Sequence, residues 1–276
     1  MTFKIFSDID INIDEHASQD FKRTANASEA DLAVTSLENY TKYTKPVLCY
    51  SFDDNVQNIE LCKKNNIHKL LGGDHTKDAT VLNALLHCLL LDKKYTPRHF
   101  LTSNHHHVQL ELKDNTEINS KQEVLLKKIN EKITWDFHRD HFQLILNELL
   151  TNAFYNASGH GQTTRSNQVA LSNISPVNVD CFFDEQYFIC SVKDKYGSLS
   201  WDKFITSLHR AMVEKVPQDK KGGAGLGLYL IFSHSTAVAI NVKPGEFTEF
   251  FWILEKSKRQ KDNLTRAKSL YYFELL

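Results

Sequence analysis

At 276 residues the chain has room for two modest domains, each with its own core. A content of 41% hydrophobic and 24% charged residues is that of an ordinary folded protein and excludes wholesale disorder or a fibrous repeat. The formal net charge of −1 lacks the basic field with which nucleic-acid binders neutralise phosphates, so no nucleic-acid partner is expected.

No apolar run approaches bilayer length, and the acidic start MTFKIFSDIDINIDEH lacks a signal peptide's basic-then-apolar order. A cytoplasmic protein without membrane contact is expected. Cys49, Cys62, Cys88, Cys181 and Cys190 form no CxxC pair and are odd in number, which points to small buried hydrophobes rather than disulfides or zinc ligands.

The first hundred residues alternate short β-rich runs with helical patterns. Phe3 to Phe6, Leu32 to Thr35 and Val47 to Tyr50 read as strands, and Asn55 to Asn65 as a helix. Lys77 to Asp92 reads as a second helix, with Leu82, Leu85, Leu86 and Leu89 at helical spacing. Residues 1–100 are therefore expected to form a small α/β domain. A connecting region, 101–135, holds the alternating VQLEL and an amphipathic helix from Lys121 to Lys132.

A third segment, 136–276, opens with a strongly apolar helix from Asp140 to Ala157. Strands QVALS, VNVDCFF and YFICSVKD follow, the last two as a hairpin around Asp184, Glu185 and Gln186. Ser200 is a plausible N-cap for a helix from Trp201 to Glu214, with Phe204, Ile205, Leu208 and Met212 on its inner face. The glycine run KGGAGLGLYLIFSHS leads into another helix, and AVAINVKPGEFTEFFWIL reads as a hairpin around Pro-Gly. The apolar ending YYFELL is either a docking segment or the last element of the core.

Three short stretches carry chemistry. In LILNELLTNAFYNA, Glu148 and Asn152 are four apart and share a helix face among apolar neighbours, where a magnesium ion with phosphate oxygens would compensate them. Asp194 closes a strand, with a glycine three residues on that permits close backbone approach, and can accept a hydrogen bond from an adenine amino group. Gly222, Gly223, Gly225 and Gly227 lead directly into a helix whose N-terminus and amides suit a phosphate chain. The run lacks the GK[ST] ending of a P-loop and does not follow an N-terminal strand as GxGxxG.

In this order, NELLTNA, VKDKYG and GGAGLGL resemble the GHKL superfamily of ATP-binding domains, which includes histidine kinases, gyrase-type and chaperone-type ATPases, and anti-sigma kinases. The resemblance spans about Asp136 to Leu254. It implies a Bergerat-type α/β sandwich that binds ATP with Mg2+. Carried over by position, Asn152 is the magnesium ligand and Asp194 binds adenine. Gly197, Gly223, Gly225, Leu226 and Gly227 contact or permit the nucleotide, Thr248 lies near the adenine, and Glu148 is the catalytic carboxylate. Ser198 to Lys221 corresponds to a lid, within which Lys220 and Lys221 could approach the γ-phosphate. The chain departs from the usual DxGxG in having Asp194-Lys195-Tyr196-Gly197 with no second glycine nearby.

Residues 1–100 resemble a response-regulator receiver domain more weakly, through DLAVTS, PVLCYSF and NNIHKLLGG. Ser51 matches the hydroxyl position after the fourth strand, but Ser36 stands near the place of the phosphoacceptor aspartate and the usual Lys-Pro is absent. A degenerate, receiver-like docking domain is implied. No helical hairpin presents a phosphoacceptor histidine, and His87, His138 and His141 read as structural or solvent-facing; His105, His106 and His107 cannot all converge on one ion. The expectation is an α/β signalling protein that binds ATP and a protein partner, with homodimerisation open. The preferred reading is that the ATP-binding domain phosphorylates that partner; a histidine kinase with another acceptor and a non-catalytic nucleotide-binding scaffold are the alternatives.

Overall fold

The computed structural model describes residues 2–11, 20–44, 46–51, 55–72, 79–132, 139–158, 174–214, 224–256 and 264–276. Its centre is a mixed sheet of 11 strands, flanked by helices, so the chain is of the α/β class.

The N-terminal half supplies β1 (Phe3–Ser7), β2 (Phe21–Arg23), β3 (Leu32–Ser36), β4 (Val47–Ser51) and β5 (Lys69–Gly72). They lie parallel in the order β2-β1-β3-β4-β5. Helix α1 (Asn55–Asn65) connects β4 to β5, with the bounds expected from its sequence. Among the described residues between β3 and β4, the helical structure is a 3-10 turn, Tyr40–Lys42. Among the described residues the next helix, α2, covers Ala79–Leu86 and then widens into a π turn, His87–Asp92.

The remaining strands are β6 (His106–Leu112), β7 (Val177–Phe183), β8 (Tyr187–Asp194), β9 (Ala237–Lys243), β10 (Phe247–Glu255) and β11 (Ser269–Glu274). From β9 to the far edge the order is β9-β10-β8-β7-β6, every pair antiparallel. The expected strand QVALS lies outside the described residues. The β9–β10 hairpin closes at Pro244-Gly245, where Gly245 takes φ +75° and Glu246 N donates to Lys243 O over 3.0 Å.

The C-terminal strand joins the two halves. β11 runs parallel to β9 over Ser269–Glu274 and antiparallel to β5 at Leu270 and Tyr271. The first part of YYFELL, Tyr271 to Phe273, thus belongs to a core strand, whereas Leu275 and Leu276 lie beyond it, and the segments expected as separate domains share one hydrogen-bonded sheet. Buried Leu270, Tyr271, Tyr272 and Phe273 fill this seam. Asn55 reinforces it by donating to Arg266 O (2.8 Å) and accepting from Lys268 N (2.8 Å).

Alternation along the strands divides the core between the two faces. Phe250, Trp252 and Leu254 face one cluster, with α1, α3 (Ile118–Asn130), α4 (Arg139–Thr151), α5 (Trp201–His209) and α6 (Ala224–Ser233). Phe251 and Ile253 face the other, with α2 and the segment around Tyr95 and Phe100. Asn241 pins that segment through two bonds, accepting from Tyr95 N (2.8 Å) and donating to Tyr95 O (3.0 Å). All five cysteines are free and buried, as their apolar settings led us to expect. No helix among the described residues is long and apolar enough to cross a membrane.

Candidate functional site

Phe142, Ile145, Leu146, Leu149 and Leu150 recur at helical spacing and bury the inner face of α4. The helix then widens into a π turn, Asn152–Asn156, in which Ala157 N donates to Asn152 O over 2.9 Å. Such widenings re-aim side chains and recur at functional sites. Here Asn156 Nδ2 donates to Asn152 Oδ1 over 2.6 Å, and both amides line a cavity of about 440 Å³.

The sheet forms the opposite wall. Asp194 ends β8 and Thr248 lies directly across from it on β10, in register. Both are buried and both line the cavity. The Oδ1 atom of Asp194 accepts from Tyr196 N (2.9 Å) and Gly197 N (3.4 Å), an Asx turn that shapes the following loop. Burial raises the Asp194 pKa, while backbone amides of Tyr196, Gly197 and Thr248 oppose that rise. Thr248 Oγ1 is buried without a hydrogen-bond partner. A buried hydroxyl in that condition carries a desolvation cost that a ligand's polar atom would relieve. Leu149, Ala153, Val192, Leu228 and Phe250 make the intervening surface apolar.

The third wall begins after the Asx turn. Ser198 and Leu199 line the cavity, and Ser200 caps α5 by accepting from Lys203 N over 3.3 Å. Trp201, Phe204, Ile205, Leu208 and Met212 are buried, so the described part of the expected lid, up to Glu214, is a helix docked into the core and continued by a π turn. Lys220 and Lys221 lie outside the described residues.

The glycines have distinct roles. Gly197 has φ +60°, and a Cβ there would collide with Lys243 O and come within 2.7 Å of Gly245 N, so this glycine lets the loop cross the β9–β10 turn. Gly225, Leu226 and Gly227 belong to α6, whereas Gly223 lies outside the described residues. A Cβ on Gly227 would meet Oε2 of Glu148, so the missing side chain admits that carboxylate between α4 and α6. Glu148 does not line the cavity.

Of the residues singled out in the sequence, the cavity brings together Asn152, Asp194 and Thr248. It adds Asn156, Lys203 and Ser207, which sequence reading missed. Asn156 follows Asn152 by four and Ser207 follows Lys203 by four, so a search for polar pairs at that spacing would have found them.

The described histidines are dispersed. His107 Nε2 lies 2.6 Å from Asp180 Oδ1, and His99 Nε2 lies 2.8 Å from Asp92 Oδ2. His141 faces His234, with ring centroids 4.7 Å apart. No cluster of three or more His, Cys, Asp or Glu side chains fit to hold a metal ion occurs among the described residues.

No protein-family model matches this chain, and no curated protein matches it. Among solved structures, the chain is similar to a chain of the SiaB–SiaC complex from Pseudomonas aeruginosa. The identity is 14% and the TM-score 0.39, over 53% of this chain and 88% of that one.

Proposed function

We propose that the cavity binds an adenine nucleotide with magnesium and that the protein acts in signal transduction through a protein partner. The observation that carries this reading is the pair Asp194 and Thr248, a buried acceptor beside a buried, unpartnered hydroxyl, set in register at one wall of an apolar cavity. An adenine has the flat apolar faces and edge of donors and acceptors that such a wall recognises. The GHKL resemblance, which places Asn152, Asp194 and Thr248 at the nucleotide, supports the same ligand.

Asn152 offers one amide oxygen for a cation, already engaged by Asn156. Magnesium needs several oxygen ligands, so the residues present suit an ion carried in by the nucleotide's phosphates rather than a resident metal. When bound, it would neutralise phosphate charge. Asn152 would turn its oxygen toward it, and the amides and N-terminus of α6 are the chain's further resource for anionic oxygens.

Among the described residues that line the cavity there is no histidine, and the reading we propose is of a separate protein partner. The parallel order β2-β1-β3-β4-β5, a flavodoxin-like order, supports a receiver-like descent for the N-terminal half. Ser36 closing β3 and the short link to β4 support docking rather than aspartyl phosphorylation there.

Titration calorimetry with Mg-ATP tests the site: saturable binding is expected for the wild type and a loss of at least tenfold in affinity for Asp194→Asn and Asn152→Ala. A second reading, a scaffold that binds without turnover, is favoured by the position of Glu148 against Gly227, away from the cavity lining. Binding of labelled ATP with neither hydrolysis nor transfer to a partner supports it, and turnover abolished by Glu148→Gln excludes it.

A further inference from the structure

Among the described residues, two charged side chains line the cavity, Asp194 and Lys203. Their settings differ. Asp194 is buried and holds backbone amides, whereas Lys203, in the first turn of α5, is exposed and reaches back to donate from Nζ to Ser198 O over 3.1 Å. No carboxylate among the described residues pairs with it. An ammonium has three N–H donors, and that carbonyl occupies one. Ser207, one helical turn on, adds a hydroxyl to the same wall, and Asn152 and Asn156 line the cavity from α4's extension. The cavity therefore combines a buried acceptor with a more exposed cationic side.

Resting on the nucleotide reading above, we propose that Lys203 is the contact for the anionic part of the ligand and sets a preference for nucleotides over nucleosides. With the base at Asp194 and Thr248, the phosphate chain extends toward the Lys203 ammonium, whose long stem lets it leave Ser198 and follow the anion. Loss of one carbonyl bond at an exposed site costs little, and a charge-assisted bond to phosphate more than replaces it. Lys203 takes no part in recognising the base.

Mg-ATP and adenosine are titrated separately into the wild type, Lys203→Met and Lys203→Arg. Methionine keeps the apolar stem without the charge, and the exposed site makes both variants compatible with folding. The expected result is about a tenfold loss of ATP affinity in Lys203→Met, an unchanged adenosine affinity, and near-complete recovery in Lys203→Arg. The proposal is overturned if ATP affinity is unchanged in Lys203→Met, or if ATP and adenosine weaken together. A wild type that binds adenosine and ATP equally also overturns it while leaving the base site intact. A folded wild type that binds neither overturns the nucleotide reading and this proposal with it.

Discussion

The Tyr272 hydroxyl donates a 3.0 Å hydrogen bond to the Leu199 carbonyl, tying the C-terminal strand to the cavity wall. Tyr272 also packs against Trp201 at 5.5 Å and His68 at 5.5 Å. The strand that unites the two halves of the sheet therefore also holds the loop that opens α5. Tyr272→Phe keeps the ring and removes this bond. It should lower stability by about 1 kcal/mol, the net worth of one such bond, and weaken nucleotide binding several-fold, as read by thermal melting and calorimetry on the same sample.

Gly197 and Gly245 make a matched pair. Both have positive φ, but a Cβ on Gly245 meets nothing within 4 Å whereas one on Gly197 strikes the neighbouring turn. Gly245→Ala should cost about 1–2 kcal/mol from backbone strain alone. Gly197→Ala adds steric overlap and should cost about 3 kcal/mol or more. Equal denaturant midpoints for the two variants would contradict the packing described for this loop.

Thr248→Val should separate stability from binding. The substitution removes the unpartnered buried hydroxyl at nearly constant volume, so the free protein gains about 1 kcal/mol. Nucleotide affinity falls in the same variant, because the hydroxyl that the ligand would satisfy is gone. Chemical denaturation with and without Mg-ATP reads both effects.

Two lysines, Lys268 buried and Lys69 half-buried, give the seam a pH dependence. Lys69 donates to Tyr272 O and lies 3.9 Å from the centre of the Phe273 ring, and Lys268 donates to Ser235 O over 2.7 Å. Burial brings each down to about 7 from the ordinary lysine value of 10.5. Between those values the unfolded chain binds more protons than the folded one, so stability rises with pH from about 7 toward 10.5. His68, lowered to about 4 chiefly by burial, adds a second loss as pH falls from 6.5 toward 4. Denaturant midpoints should thus increase from pH 5 through pH 9, and Lys268→Met should flatten the upper part of that rise.

Most of the local structure was legible in the sequence. α1 and the buried face of α5 follow from apolar spacing, and the β9–β10 turn follows from Pro244-Gly245. The seam was harder to read. SLYYFE carries apolar residues on both faces because it is a central strand, and that pattern alone names neither its partners nor its place beside β5. FKR at β2 is too short for alternation to show. In the site, the motifs located Asn152, Asp194 and Thr248, whereas Lys203 and Ser207 enter because the loop after Asp194 folds α5 back over the cavity. The direction of Glu148 toward α6 depends on the packing of Gly227 and is a property of tertiary structure.

Backbone hydrogen exchange of the full chain, with and without saturating Mg-ATP, tests the central claim most directly. The account predicts added protection at Tyr196 to Leu199, around Thr248 and across the π turn, Asn152–Asn156, with little change at the ends of β1 and β3. No added protection in a folded sample, or protection confined to the β1 and β3 ends, would contradict it.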